Sequence, residues 1–340
     1  MTDTRLNIGI YQSPEIPQSF RVYAGNVQRY LPGHGISIIP FTSRNDLPKS
    51  ADVLWDIRSG GGNPPEGFLL ENNLPPLVVT VHGFAPVTLK GWEYFRTLKG
   101  MVMSGRYATQ KRALWQKAHA SVAGIIAVSA FVKEEAVRFT NVPREKIHVC
   151  HHGVDSDIFT PRDEPAAQPY FLHISNDEPR KNIRRIVAAF RRLRRDHDVG
   201  LVLKLPARNA RHYEGIDGVR VLTGILETQE MAKLYQHALA FIFPSLYEGF
   251  GMPIIEAMSS GCPVITSDVS ACAEVAGEAA LTVDPRDEKA LLEAMRSLYR
   301  NPQARAELIT AGLQRAECFS WQKSAACHAH ALRVAVENAR

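Results

Sequence analysis

Residues 243–265 read FPSLYEGFGMPIIEAMSSGCPVI. An apolar run ends at Ser245, a turn carries Gly249 and Gly251, and a short helical stretch follows, with Pro253 at its first position and Gly261 closing its end. Proline's fixed φ suits a helix start, and glycine tolerates the left-handed backbone that ends one. Such a turn delivers backbone N–H groups and the positive end of a helix to one place, which is what a diphosphate requires. In open α/β sheets this strand-to-helix end is also where ligands bind.

The same alternation extends outward in both directions. YFLHI, VGLVLKL, VRVLTG, AFIFPS, PVITS and ALTVD read as strands, each but the second followed by a helical pattern. Earlier in the chain NIGIY, SIIPF, DVLWDI, LVVTVHG, GIIAVSA and KIHVCHHG repeat the theme. Strands alternating with helices predict an α/β fold of two Rossmann-like, doubly wound domains. Between them TPRDEPAAQP is dense in proline and acid and has no period. The expected division is 1–165, 166–320 and a C-terminal helix over 321–340, started by Ser320, anchored by Trp321 and able to pack back on the first domain. A helix over 181–195 buries Ile183, Ile186, Val187, Phe190 and Leu193 as one stripe and turns six arginines to solvent.

Bulk properties narrow the function. A chain of 340 residues exceeds one ordinary core, and 45% hydrophobic with 22% charged residues predicts folding throughout. The charge of +5 is mild and aromatics do not interleave with the basic residues, so nucleic acid is not an expected partner. The start, MTDTRLNIGIYQSPE, lacks the features of a secretory signal, and no apolar run approaches the roughly 20 residues that span a bilayer. A cytoplasmic protein follows, at most peripheral to the inner membrane. The stretch 95–117 has a composition compatible with an interfacial helix, but its glycines and irregular spacing favour an ordinary basic surface helix. Five cysteines without CxxC spacing read as buried thiols in a reducing compartment. The run Gly60-Gly61-Gly62-Asn63 reads as a hinge with no ligand in preference to an acceptor-facing loop.

Glu248 and Glu256 flank the anion-binding turn. Carboxylates there would repel a phosphate unless aimed at sugar or ribose hydroxyls, from which they accept strong hydrogen bonds. Taken singly, Glu256 complements the helix dipole and Glu248 is a solvated loop acid. Arg180 and Lys181 precede a helix, where cations oppose the dipole, so their presence calls for an anion.

EGFGMPIIE resembles the signature of two glutamates eight apart of the retaining glycosyltransferases of family four. YFLHISNDEPRKNIRRIVAAF, VLTGILETQEMAKLYQHALAFIFPSLYEGFG, VSAFVKEEAV and HHGVDSDIF are similar to that family's other landmarks. The resemblance implies two Rossmann-like domains facing each other across a cleft (the GT-B fold), a sugar nucleotide as co-substrate with no further cofactor, and transfer with retention. No Asp-x-Asp metal motif is read in the chain, so a required divalent ion is not expected. The resemblance puts Glu256 on the donor ribose, Glu248 on hydroxyls of the transferred sugar, and the backbone of Phe250, Gly251, Met252, Pro253 and Ile254 near phosphate and sugar. Arg180 and Lys181 would neutralise the diphosphate, with Ser175, Gly224 and Ile225 completing the donor site. In the first domain His82 would face the donor sugar, and Gly25, just ahead of helix-like residues, would approach the phosphates.

The Pro-Arg-Lys-Asn variant resembles bacterial surface-polysaccharide mannosyltransferases, which favours GDP-mannose, with a UDP-sugar as the other candidate and a glycan, lipid-linked or small-molecule acceptor. Two departures stand out. KLPARN lacks the glycine common after that strand, leaving the base pocket open, and Gly83 stands where many members have aspartate. The competing classes on this architecture are a sugar-nucleotide epimerase, a phosphorylase-like enzyme and a non-catalytic nucleotide-sugar-binding protein.

Overall fold

Each of the twelve apolar runs forms a strand. The computed structural model describes residues 5–13, 16–162 and 168–339. In its first half β1 (Leu6–Tyr11), β2 (Ile36–Phe41), β3 (Val53–Ser59), β4 (Leu77–Val81), β5 (Val122–Ala127) and β6 (Ile147–Val149) pair in the order β2-β1-β3-β4-β5-β6. In the second, β7 (Tyr170–Ile174), β8 (Gly200–Lys204), β9 (Val219–Leu222), β10 (Ala240–Phe243), β11 (Val264–Ser267) and β12 (Leu281–Val283) pair as β12-β11-β10-β7-β8-β9. All pairings are parallel. Parallel strands need helical crossovers that cover both faces, so the central strands are nearly continuous apolar runs. Leu77, Val79, Val81, Phe241, Ile242 and Phe243 are accordingly all buried.

The chain divides into two units. The first holds the residues up to Gly91, Leu98–Gly153 and the segment from Ser320 onward; the second holds Trp92–Thr97 and Val154–Phe319. The division thus falls at Gly153 and Val154, ahead of the proline-rich stretch, of which residues 163–167 lie outside the described residues. The crossing is tight: a Cβ on Gly153 would lie 2.2 Å from the backbone nitrogen of Trp321. Residues 92–97 join the second unit through Glu93 to Arg286 (2.7 Å) and Arg96 to Asp177 (3.2 Å). In the first unit the helix Trp321–Glu337 packs on the helix Gln18–Tyr30 and on β5, capped by Ser320 Oγ, which accepts from Lys323 N–H (3.2 Å). Among the described residues no helix is long and apolar enough to cross a membrane.

Three local readings are corrected. Gly25 lies inside the helix Gln18–Tyr30, exposed and with nothing within 4 Å of where a Cβ would stand, so it forms no phosphate-approaching loop; the helix starts seven residues earlier, after Pro17. The strand VGLVLKL is followed by a short helix, Ala207–Ala210. The cysteines are not all thiols: Cys150 and Cys327 form a disulfide across 177 residues, Cys262 and Cys272 are buried thiols, and Cys318 is exposed. Spacing could not reveal that bridge, because its ends meet only when the C-terminal helix returns beside β6.

Candidate functional site

The order β9-β8-β7-β10-β11-β12 reverses direction between β7 and β10, the switch point at whose carboxyl ends doubly wound sheets bind ligands. The loop after β7 carries Arg180 and Lys181; the loop after β10 carries Glu248. Lys181 Nζ donates to Glu248 Oε1 (2.7 Å), and Arg180 Nη1 donates to Glu248 Oε2 (3.1 Å) and to Tyr247 O (3.0 Å). Arg180 Nε also pairs with Glu178 Oε2 (2.7 Å). Two cations and two carboxylates therefore form one neutral group, with Lys181 and Glu248 both buried.

Local backbone chemistry sets this geometry. Pro179–Lys181 form a single tight turn, and Asn182 ends it in the left-handed region (φ 65°), which asparagine tolerates better than most residues. Its Nδ2 donates to Pro244 O (3.0 Å) and Pro285 O (2.6 Å), tying the loop to the ends of β10 and β12. Leu246 N–H donates to Arg180 O (2.7 Å), and Glu248 N–H to Ser270 Oγ (3.1 Å). Lys181 Nζ also sits 5.0 Å from the centroid of the Phe243 ring.

Burial pushes the Glu248 carboxyl up, but the charges of Lys181 and Arg180 outweigh it and hold it below its ordinary value. Burial likewise draws Lys181 below the usual lysine range despite Glu248. Arg180 is raised, the pull of Glu248 and Glu178 exceeding the effect of burial.

Eight residues on, Glu256 follows a different rule. Gly251 (φ 101°) opens the helix Met252–Ser259, with Pro253 in its first turn and Ile254 fully buried. Half-buried Glu256 accepts from the Tyr235 hydroxyl (3.0 Å), and burial raises its carboxyl to about 7. Phe250 packs edge-on against Phe319, 5.7 Å between centroids. Ser175, at the end of β7, faces His173: His173 Nδ1 lies 2.7 Å from Ile242 O, an acceptor only, so Nδ1 carries the proton and Nε2 accepts from Ser175 Oγ–H (2.7 Å). Burial holds His173 at about 4, so the ring stays neutral and Ser175 can offer a ligand only its lone pairs. Gly224 (φ 85°) accepts from Lys204 Nζ (2.7 Å) beyond the outer strand, and Ile225 is 91% exposed.

In the first unit His82 follows β4. Its Nε2 donates to Ile57 O (2.8 Å), its ring stacks on Phe20 at 3.8 Å, and burial lowers it to about 4, leaving a neutral imidazole with Nδ1 as acceptor. Behind it runs a directed chain of hydrogen bonds. Trp55 Nε1–H donates to Thr80 Oγ1 (2.9 Å), Thr80 to Tyr23 (3.1 Å), Tyr23 to His328 Nε2 (2.5 Å), and His328 Nδ1–H to Ser324 O (2.7 Å).

Comparison with known proteins accords with this geometry. The model of the glycosyl transferases group 1 matches residues 155–315, and that of glycosyltransferase family 4 matches residues 66–158. Both models describe glycosyltransferases, and together they cover residues 66–315. The chain is similar to the O-antigen chain mannosyltransferase B of Escherichia coli, 34% identical over 58% of this chain and 57% of the relative. It is 32% identical to the MMP alpha-(1->4)-mannosyltransferase of Mycolicibacterium hassiacum over 74% of this chain and 63% of the relative. The matches thus span less than two thirds of these relatives. Sucrose-phosphate synthase from Thermosynechococcus elongatus shares the fold, with a TM-score of 0.77 at 18% identity over 97% of this chain and 98% of that one. So does Anabaena HepE, solved with UDP and glucose, with a TM-score of 0.73 at 13% identity over 96% and 99%.

Sequence reasoning missed several residues that hold polar contacts around this cluster. Glu178 was legible as an acid beside the Pro-Arg-Lys turn, and Asn182 as the residue after it. His173 and Tyr235 read as core residues, and only tertiary packing gives them polar partners. Two Asp-x-Asp spacings, a pattern that can hold a divalent ion, were also passed over. Asp157 N–H donates to Asp155 Oδ1 (3.2 Å) in a local turn, and Asp198 pairs with Arg194.

Proposed function

We propose that the chain transfers a hexose, mannose before others, from a nucleoside diphosphate sugar to an acceptor hydroxyl with retention of configuration. The observation that carries this reading is the buried Lys181–Glu248–Arg180 cluster at the switch point. The relatives named as mannosyltransferases support the choice of sugar and, through it, of GDP as the leaving group. Glu248 and Glu178 hold the cations in place, while Arg180 keeps its Nη2 hydrogens uncommitted among the described residues and Lys181 keeps two of its three donors. Such preorganised donors suit the charge that builds on a departing diphosphate.

The bond from the sugar's anomeric carbon to the phosphate oxygen breaks, and its electron pair leaves with the phosphate. The acceptor oxygen bonds the same face of that carbon and gives its proton to the departing phosphate oxygen. The two cations supply the charge compensation, so activity is expected to survive chelation of divalent ions. Glu256, with a carboxyl near neutrality, suits a hydroxyl pair such as a ribose. The acceptor is a glycan, a lipid-linked sugar or a small molecule, and the reaction belongs in the cytoplasm.

Thermal unfolding with GDP, UDP and ADP at equal excess tests the donor. A ligand binding only the folded state at 100 times its Kd stabilises it by about 2.7 kcal/mol. GDP is expected to raise the midpoint most, and NMR of the product from GDP-mannose is expected to show an α-linkage. An inverted product, or no shift with any of the three nucleotides, would overturn the reading.

A further inference from the structure

The helix Leu98–Ala118 presents its apolar side chains outward. Its inner face is fixed by Trp115, almost fully buried, whose Nε1–H donates to Gly62 O (3.1 Å), and by buried Ala118. At 100° per residue, Leu98, Val102, Arg106 and Lys117 fall on the opposite side, with Lys99 among them, and all five are exposed. Leu98 is 76% and Val102 77% exposed. Of the seven large exposed hydrophobic side chains among the described residues, four lie in this one helix, the others in it being Met103 and Leu114. The sequence holds no Asp or Glu between Glu93 and Glu134, and neither Lys99 nor Arg106 forms an ion pair among the described residues.

We propose that this face docks on an anionic lipid bilayer, with Leu98 and Val102 entering the interface while Lys99, Arg106 and Lys117 meet the headgroup charge. Apolar side chains left in water beside long basic ones, whose stems can lie along the boundary while their heads stay wet, fit such a surface. Anionic headgroups supply the negative charge that 40 residues of this chain lack. A second copy fits less well, because a two-fold contact would set two acid-free, basic faces against each other.

The test is co-sedimentation of the full chain with vesicles of phosphatidylglycerol and phosphatidylcholine, or of phosphatidylcholine alone, with no sugar nucleotide present. Binding to the anionic vesicles alone is expected, falling as salt rises. Leu98→Asn with Val102→Asn, and separately Lys99→Glu with Arg106→Glu, are each expected to weaken it at least tenfold with unchanged circular dichroism and melting. Failure to bind anionic vesicles at low salt, or full binding by either double variant, would overturn the proposal. So would sedimentation velocity showing a dimer that Leu98→Asn with Val102→Asn dissociates, since the face would then serve a second copy.

Discussion

Two clusters of titratable side chains deal with burial in opposite ways. In the second unit Arg180, Lys181, Glu178 and Glu248 set opposite charges against one another in ion pairs. In the first, Tyr23, His82, His152 and His328 avoid charge: burial lowers all three imidazoles and raises the phenol. The paired cluster can meet an ionic ligand by exchanging one partner for another. The neutral cluster has no counter-charge in reserve, so it acts as rigid polar packing behind His82.

The largest effect should come from leaving the paired cluster unbalanced. Glu248→Ala strands the buried Lys181 and leaves Arg180 only Glu178, and should cost about 3–5 kcal/mol in denaturant unfolding; a loss under about 1 kcal/mol would mean that solvent already screens the pair. Acid should sharpen the contrast from the other side. His82 and His328 titrate at about 4 when folded against an ordinary 6.5, so the unfolded chain binds more protons between those values. Stability should then be full above about 6.5 and fall toward 4, by about 1.4 kcal/mol per pH unit for each histidine at most. Unfolding curves at pH 7 and pH 5 measure it, and His328→Phe should flatten the dependence.

Tyr235→Phe should cost about 1 kcal/mol and push the Glu256 titration above its present value of about 7, read by NMR, since the hydroxyl bond favours the ionised form. The smallest effect is expected at Gly25, where alanine should stabilise the chain by roughly 0.5–1 kcal/mol in thermal unfolding, because the site is an open helix interior. Alanine at Gly153, by contrast, meets the backbone of Trp321.

Strands were legible because a parallel sheet buries both faces and leaves unbroken apolar runs such as LVVTV and AFIF. The paired glutamates and the Pro-Arg-Lys turn were legible as motifs, though not their mutual contact, which spans 67 residues and arises from strand order. Gly25 misled because a lone glycine marks a helix start and a helix interior alike. The hydrogen-bond chain through Tyr23 and His328 spans 305 residues, and no local pattern announces it.

The Cys150–Cys327 bridge gives the chain an unusual topology. Everything from residue 151 to 326, nearly all of the second unit included, hangs in one covalent loop. A protease that cuts once inside that loop leaves a single molecule whose mass rises by one water, and only a reductant parts it into two fragments. A gel run without reductant would therefore report a nicked chain as intact.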